Sequence, residues 1–173
     1  MTTTSRAVCL NRISMKRKIY VASSWRNKLQ PRVVAALRAE GHEVYDFRNP
    51  EPGNDGFHWS AIDREWKYWN LRQYVHQIET HAVAAAGFKL DRDALNWCDT
   101  LVLVSPCGRS AHLEAGYACG QGKDVVFMLS EENFEPELMY LLGSGFVTNT
   151  TELCIALRFK RAKCTTIGYP DAA

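Results

Sequence analysis

The run Thr100-Leu101-Val102-Leu103-Val104 constrains this chain most. Five successive apolar or β-branched residues leave no polar face for water, so the segment reads as a strand buried on both sides, as in the middle of a parallel sheet. Ser105-Pro106-Cys107-Gly108 ends it. Ser110 is a natural N-cap for a helix from about Ala111 to Gln121, which Gly120 and Gly122 close. Upstream, Ala94 to Cys98 reads as the end of another helix. A buried strand, a glycine-containing turn and a helix make a unit whose crevice, at the carboxyl end of the strand, is where open parallel sheets bind ligands. One acidic side chain, Glu114, falls in the first turns of that helix.

The rest of the chain repeats the alternation. Ile19–Ser23 reads as a first strand, followed by a Ser23-Ser24 turn and a helix from about Lys28 to Glu40 that Gly41 closes. Lys16-Arg17-Lys18 reads as a solvated strand entry. His42–Phe47 is a second strand, and the Pro- and Gly-containing segment 48–57 is a loop. In the segment from His58 to Ala86, Trp59, Ile62, Trp66, Trp69, Val75 and Ile78 recur at three- and four-residue spacing, which predicts one or two amphipathic helices. Such aromatics either pack the helix onto its neighbours or form a stacking wall for a base. Asp124–Leu129 is a fourth strand, a short helix spans about Glu135 to Leu142, and Phe146-Val147 is a fifth strand. Thr150 caps a last helix reaching about Arg161, where basic residues complement the helix dipole. Five strands alternating with helices predict a three-layer α/β/α sandwich on a parallel sheet, flavodoxin-like or Rossmann-like. Residues 1–16 read as a disordered leader, 17–162 as one domain and 163–173 as a tail.

Composition narrows the function. A net charge of +2 argues against a surface dedicated to DNA or RNA. The apolar runs are far shorter than the roughly 18 residues needed to span a membrane, and the first residues lack the apolar core of a signal peptide. The six scattered cysteines, with no C-x-x-C pair, read as reduced thiols of a cytoplasmic protein. His42, His58, His76, His81 and His112 show no metal-ligand spacing, so no metal and no cofactor are expected. Neither G-x-G-x-x-G nor a P-loop motif occurs.

Three sets of residues carry a resemblance. Glu114-Ala115-Gly116-Tyr117-Ala118 after a buried strand and a Gly/Ser turn resembles the signature of the nucleoside 2-deoxyribosyltransferase superfamily, which includes the 2'-deoxynucleoside 5'-phosphate N-hydrolases. Asp91, Leu95 and Asp99 resemble its D-x-x-x-L-x-x-x-D arrangement. Lys18-Ile19-Tyr20-Val21-Ala22-Ser23-Ser24-Trp25-Arg26 resembles its opening strand and turn. The resemblance implies strand order 2-1-3-4-5, a homodimer and a small nucleoside or nucleotide substrate. It further implies that Glu114 attacks C1' of the sugar, that Tyr20 sits beside sugar and nucleophile, and that Arg26 lies near base or phosphate. Where the family usually has an aspartate shortly before the nucleophile, this chain has Gly108-Arg109-Ser110-Ala111-His112. Arg109 and Ser110 there suit a 5'-phosphate.

The expected reaction is cleavage or transfer of an N-glycosidic bond, with Glu114, Asp91 and Tyr20 in catalytic roles. Ser23, Ser24, Arg26, Gly108, Arg109, Ser110 and His112 are the expected substrate contacts. Retaining chemistry calls for Glu114 ionised, at or below ~4.3 by virtue of the helix terminus, and for Asp91 raised by burial so that it can protonate or position the leaving base. A non-catalytic nucleotide-binding or sensing domain on the same fold is the alternative. A thiol nucleophile at Cys107, with His112 as base, is a third reading.

Overall fold

The computed structural model describes residues 15–132 and 134–158. Five parallel strands, β1 (Lys18–Ala22), β2 (Glu43–Tyr45), β3 (Thr100–Val104), β4 (Asp124–Met128) and β5 (Gly145–Val147), form one sheet in the order β2-β1-β3-β4-β5. The helices are α1 (Gln30–Ala39), α2 (Leu71–Thr80), α3 (Ala82–Trp97), α4 (Arg109–Gly120) and α5 (Thr150–Leu157). The architecture agrees with the strand–helix alternation of the sequence, and the strand order is the one the resemblance implies.

The two-residue period of the strands sorts the core into two layers. Ile19 and Val21 of β1, with Val102 and Val104 of β3, join Val33 and Leu37 of α1 and Leu153 and Leu157 of α5. Tyr20 and Ala22, with Leu101 and Leu103, join Leu95 of α3 and Ala111, Ala115 and Ala118 of α4. The alanines on one face of α4 carry little side-chain bulk, which lets that helix lie close on β3. All of β3 is buried, as its composition predicts. α2 contributes no buried residue and packs on α3, outside the sandwich.

Several local expectations are corrected. α4 begins at Arg109 with Gly108 as its N-cap and no side-chain cap, so Ser110 lies inside the helix. Asn149, not Thr150, caps α5 by accepting from the Glu152 amide. The stretch before β5 is a 3-10 turn, Leu138–Leu142, rather than an α-helix. The first half of the tryptophan-rich segment is likewise two 3-10 turns, Trp59–Ala61 and Trp66–Tyr68. Three-residue aromatic spacing matches the 3-10 repeat as well as it matches an α-helical stripe. Only from Leu71 does the α-helix start, where Asn70 and Gln73 close a capping box.

Arg17 is not solvated. It is 7% exposed, pairs with Asp124 at 2.8 Å, and donates to the Thr100 hydroxyl and the Leu157 carbonyl. Its guanidinium thereby ties the amino ends of β3 and β4 to α5. Arg158 pairs with Glu40 at 2.9 Å, while Lys160, Arg161 and Lys163 of the predicted basic helix end lie outside the described residues. So do most of the predicted leader and all of the predicted tail. No helix among the described residues is long and apolar enough to cross a membrane.

Candidate active site

The carboxyl ends of β1 and β3 are tied together by side chains. The Ser23 hydroxyl donates to the Val104 carbonyl at 2.8 Å, and the buried Asn27 amide donates to the Val104 and Pro106 carbonyls. Arg48, from the loop after β2, donates to the carbonyls of Ser24, Trp25 and Asn27 at 2.8, 3.0 and 2.9 Å. The β1–α1 turn is thus held in place by a guanidinium that the sequence reading did not single out.

Above this turn opens a cavity of about 720 Å³, within the range of small-molecule sites. Asp91 of α3 and Glu114 of α4 both line it. So do Ser23, Ser24, Arg26, Gly108 and Ser110, which the sequence reading named as substrate contacts. Trp25, Phe57, His58, Trp59 and Trp66 form an aromatic side, and Lys67 adds a second cation. The aromatic side is also internally packed: Trp25 lies 4.2 Å from the His58 ring, Phe57 is 4.8 Å from Trp59, and Trp59 meets Trp69 and Tyr74 edge-on. Phe57 rests against Gly87 of α3, where an added Cβ would come within 2.8 Å of the Phe57 ring.

Arg109 and His112 are not among the cavity residues. His112 Nε2 lies 2.8 Å from the Tyr140 hydroxyl and Nδ1 lies 3.0 Å from the Gly108 carbonyl, so this imidazole joins α4 to the turn before β5. Cys107 Sγ is 3.8 Å from His112 Nδ1, but burial and the charge of Glu114 push its thiol up to about 11. A thiol protonated at neutral pH is a poor nucleophile, which weighs against the Cys107 reading. Among the described residues no three His, Cys, Asp or Glu side chains cluster as metal ligands.

Beneath the cavity lie two tyrosines. Tyr20 and Tyr45 are paired in register across β1 and β2, and their rings stack with centroids 5.1 Å apart. The Tyr45 hydroxyl donates to Asp91 Oδ1 at 2.8 Å. Tyr20 is fully buried, and its hydroxyl is close enough to Glu114 to pull that carboxyl's pKa down, yet the two stop short of a well-formed hydrogen bond. Burial and the neighbouring Glu114 and Asp91 charges hold the Tyr20 phenol well above its ordinary value.

The electrostatics correct one expectation. Glu114 is raised to about 7, first by burial and then by the charge of Asp91. It lies beyond the first turn of α4, where the helix dipole no longer offsets desolvation. Asp91 is raised by burial, and the Tyr45 hydrogen bond pulls it back. Both carboxyls of the pair are thus raised: Asp91 by burial, as the sequence implied, and Glu114 by burial and the neighbouring charge, against what the sequence implied.

No family model and no curated protein matches the sequence. Solved structures do resemble the chain. The 2-deoxyribosyltransferase of Bacillus psychrosaccharolyticus is 19% identical with a TM-score of 0.54, over 83% of this chain and 97% of that one. A conserved protein from Enterococcus faecalis V583 is 15% identical with a TM-score of 0.51, over 83% of this chain and 98% of that one. A CMP N-glycosidase from Clostridium botulinum is 17% identical with a TM-score of 0.45, over 82% and 98%. With its sheet order, these similarities give the chain the fold of the nucleoside 2-deoxyribosyltransferases.

Proposed function

We propose that this chain cleaves or transfers the N-glycosidic bond of a (deoxy)nucleoside or its 5'-monophosphate, with Glu114 as the nucleophile. The observation that carries the reading is a pair of partly buried carboxyls, Glu114 and Asp91, in a cavity of nucleoside size with one aromatic side. The fold shared with a 2-deoxyribosyltransferase supports it. An ionised Glu114 oxygen bonds to C1' as the C1'–N bond breaks, and the bonding pair leaves on the base nitrogen, which takes a proton from a solvent water. Water or a second base then attacks C1', and the Glu114 carboxylate departs with the electrons of the ester bond. Asp91 accepts from Tyr45 through one oxygen and has the other to accept hydrogen bonds from sugar hydroxyls.

The Ser23 hydroxyl proton is committed to Val104, whereas Ser24, Ser60, Ser110 and the exposed cations Arg26 and Lys67 line the cavity where a phosphate or sugar would be met. A homodimer belongs to the same reading, since α2 and α3 leave Leu71 and Phe88 exposed. Sedimentation of the purified chain tests it. The reaction itself is tested by incubating the protein with a panel of (deoxy)nucleosides and monophosphates and measuring free base. Release that disappears in both Glu114→Ala and Glu114→Gln supports the nucleophile, and undiminished release in either variant removes it.

A further inference from the structure

We propose that Tyr45 is the positioning residue of the carboxylate pair: its hydroxyl, donated to Asp91, fixes which of the two carboxylates carries the charge in the resting site. The inference rests on the proposed function only for its consequence in turnover; the geometry stands by itself. β2 is short and at the sheet edge, and its last residue, Tyr45, is in register with Tyr20 of β1. There Tyr45 stacks on Tyr20 at an interplanar angle of 23°, which sets the ring, and the ring sets the hydroxyl 2.8 Å from Asp91 Oδ1. Two aromatic rings therefore stand side by side below two carboxyls, Tyr45 bonded to Asp91 and Tyr20 beside Glu114 without a hydrogen-bond partner.

The difference between the two tyrosines is the device. A donor already bonded to Asp91 stabilises charge there. A donor left without a partner beside Glu114 is available once that carboxyl ionises or a substrate oxygen arrives. The pair thus rests with one charge, on Asp91, and Glu114 holds a proton that it gives up last. The other titratable groups bearing on the pair are Cys107 ahead of α4 and Glu51, which acts on Tyr45. Arg26, His58 and Lys67 line the same cavity.

Tyr45→Phe keeps the stacked ring and removes only the donor. The midpoints of Asp91 and Glu114 are read by carboxyl-carbon NMR titration of the isotope-labelled protein, which needs no substrate. In Tyr45→Phe, Asp91 is expected to rise by about one pH unit and Glu114 to begin ionising at lower pH, so that the two midpoints converge. In Asp91→Asn, Glu114 falls, and adding Tyr45→Phe moves it no further. Unmoved midpoints in Tyr45→Phe, or an equal movement of Glu114 with and without Asp91, overturn the role. If the midpoints converge but no nucleoside or nucleotide is cleaved, the proposed reaction fails and the positioning role stands.

Discussion

Glu114→Gln should make this protein more stable, and increasingly so as pH rises. Burial and Asp91 raise Glu114 from 4.5 to about 7, so the folded chain holds this proton more tightly than the unfolded chain does. Between those two values the unfolded state has lost the proton and the folded state keeps it, so stability falls as pH rises through the window and levels off above about 7. At about 1.4 kcal/mol per pH unit, the loss is about 3 kcal/mol by pH 8. Glutamine has nearly the same shape and no charge to desolvate, and its amide oxygen can still meet the Tyr20 hydroxyl. The advantage of the variant should therefore grow by about 3 kcal/mol between roughly pH 4 and 8, or about 6–12 °C in Tm for a domain of this size. Urea melts of both proteins at the two ends of that range measure it. A gap between variant and parent that stays constant with pH refutes the buried, repelled carboxyl on which the site's chemistry is argued.

Other perturbations bear on the same site. Base release should lose its activity on the acid side as Glu114 gains its proton, so kcat/KM should fall about tenfold per pH unit below about 7, and a flat profile from pH 5 to 8 contradicts this. Arg48→Met removes the guanidinium that gathers three carbonyls of the β1–α1 turn, and should raise KM more than it lowers thermal stability. Gly87→Ala places a methyl group against Phe57, so the aromatic side must shift; fluorescence of the cavity tryptophans should change, and an unchanged spectrum with unchanged KM speaks against the contact. Cys107→Ser should leave base release within a few-fold of the parent, because a thiol raised to about 11 is not the attacking group.

Much of the fold is legible because its signals are local. The unbroken apolar run of β3 marks the centre of the sheet, and the α1 and α4 helices announce their ends through Gly41 and Gly122, both at positive φ. Glu114, Asp91 and the serine turn are legible as candidates for the same reason, since each sits at a recognisable place in a strand–turn–helix unit. What stays hidden is set by distant partners. Tyr45 becomes informative only when the β1–β2 register puts it opposite Tyr20, and Arg17 only when Asp124 comes to meet it. The protonation of Glu114 is hidden for a different reason: sequence position reports the nearby helix terminus, whereas depth and a neighbouring charge decide the outcome. Tyr45 is the residue that a search for symmetry could have found, as β1 and β2 each carry a tyrosine as their third residue.

One part of the cavity's aromatic side, Trp59, leans on the one α-helix among the described residues that contributes no buried residue. Trp59 touches Trp69 and Tyr74, and Tyr74 belongs to α2, which buries nothing. Remodelling that panel therefore costs the sandwich little, while the floor of strands, tyrosines and carboxyls cannot move without disturbing every layer. A protein divided in this way can exchange the shape it admits for another and keep its reactive machinery unchanged, and the open face of α2 is where such drift should first be seen.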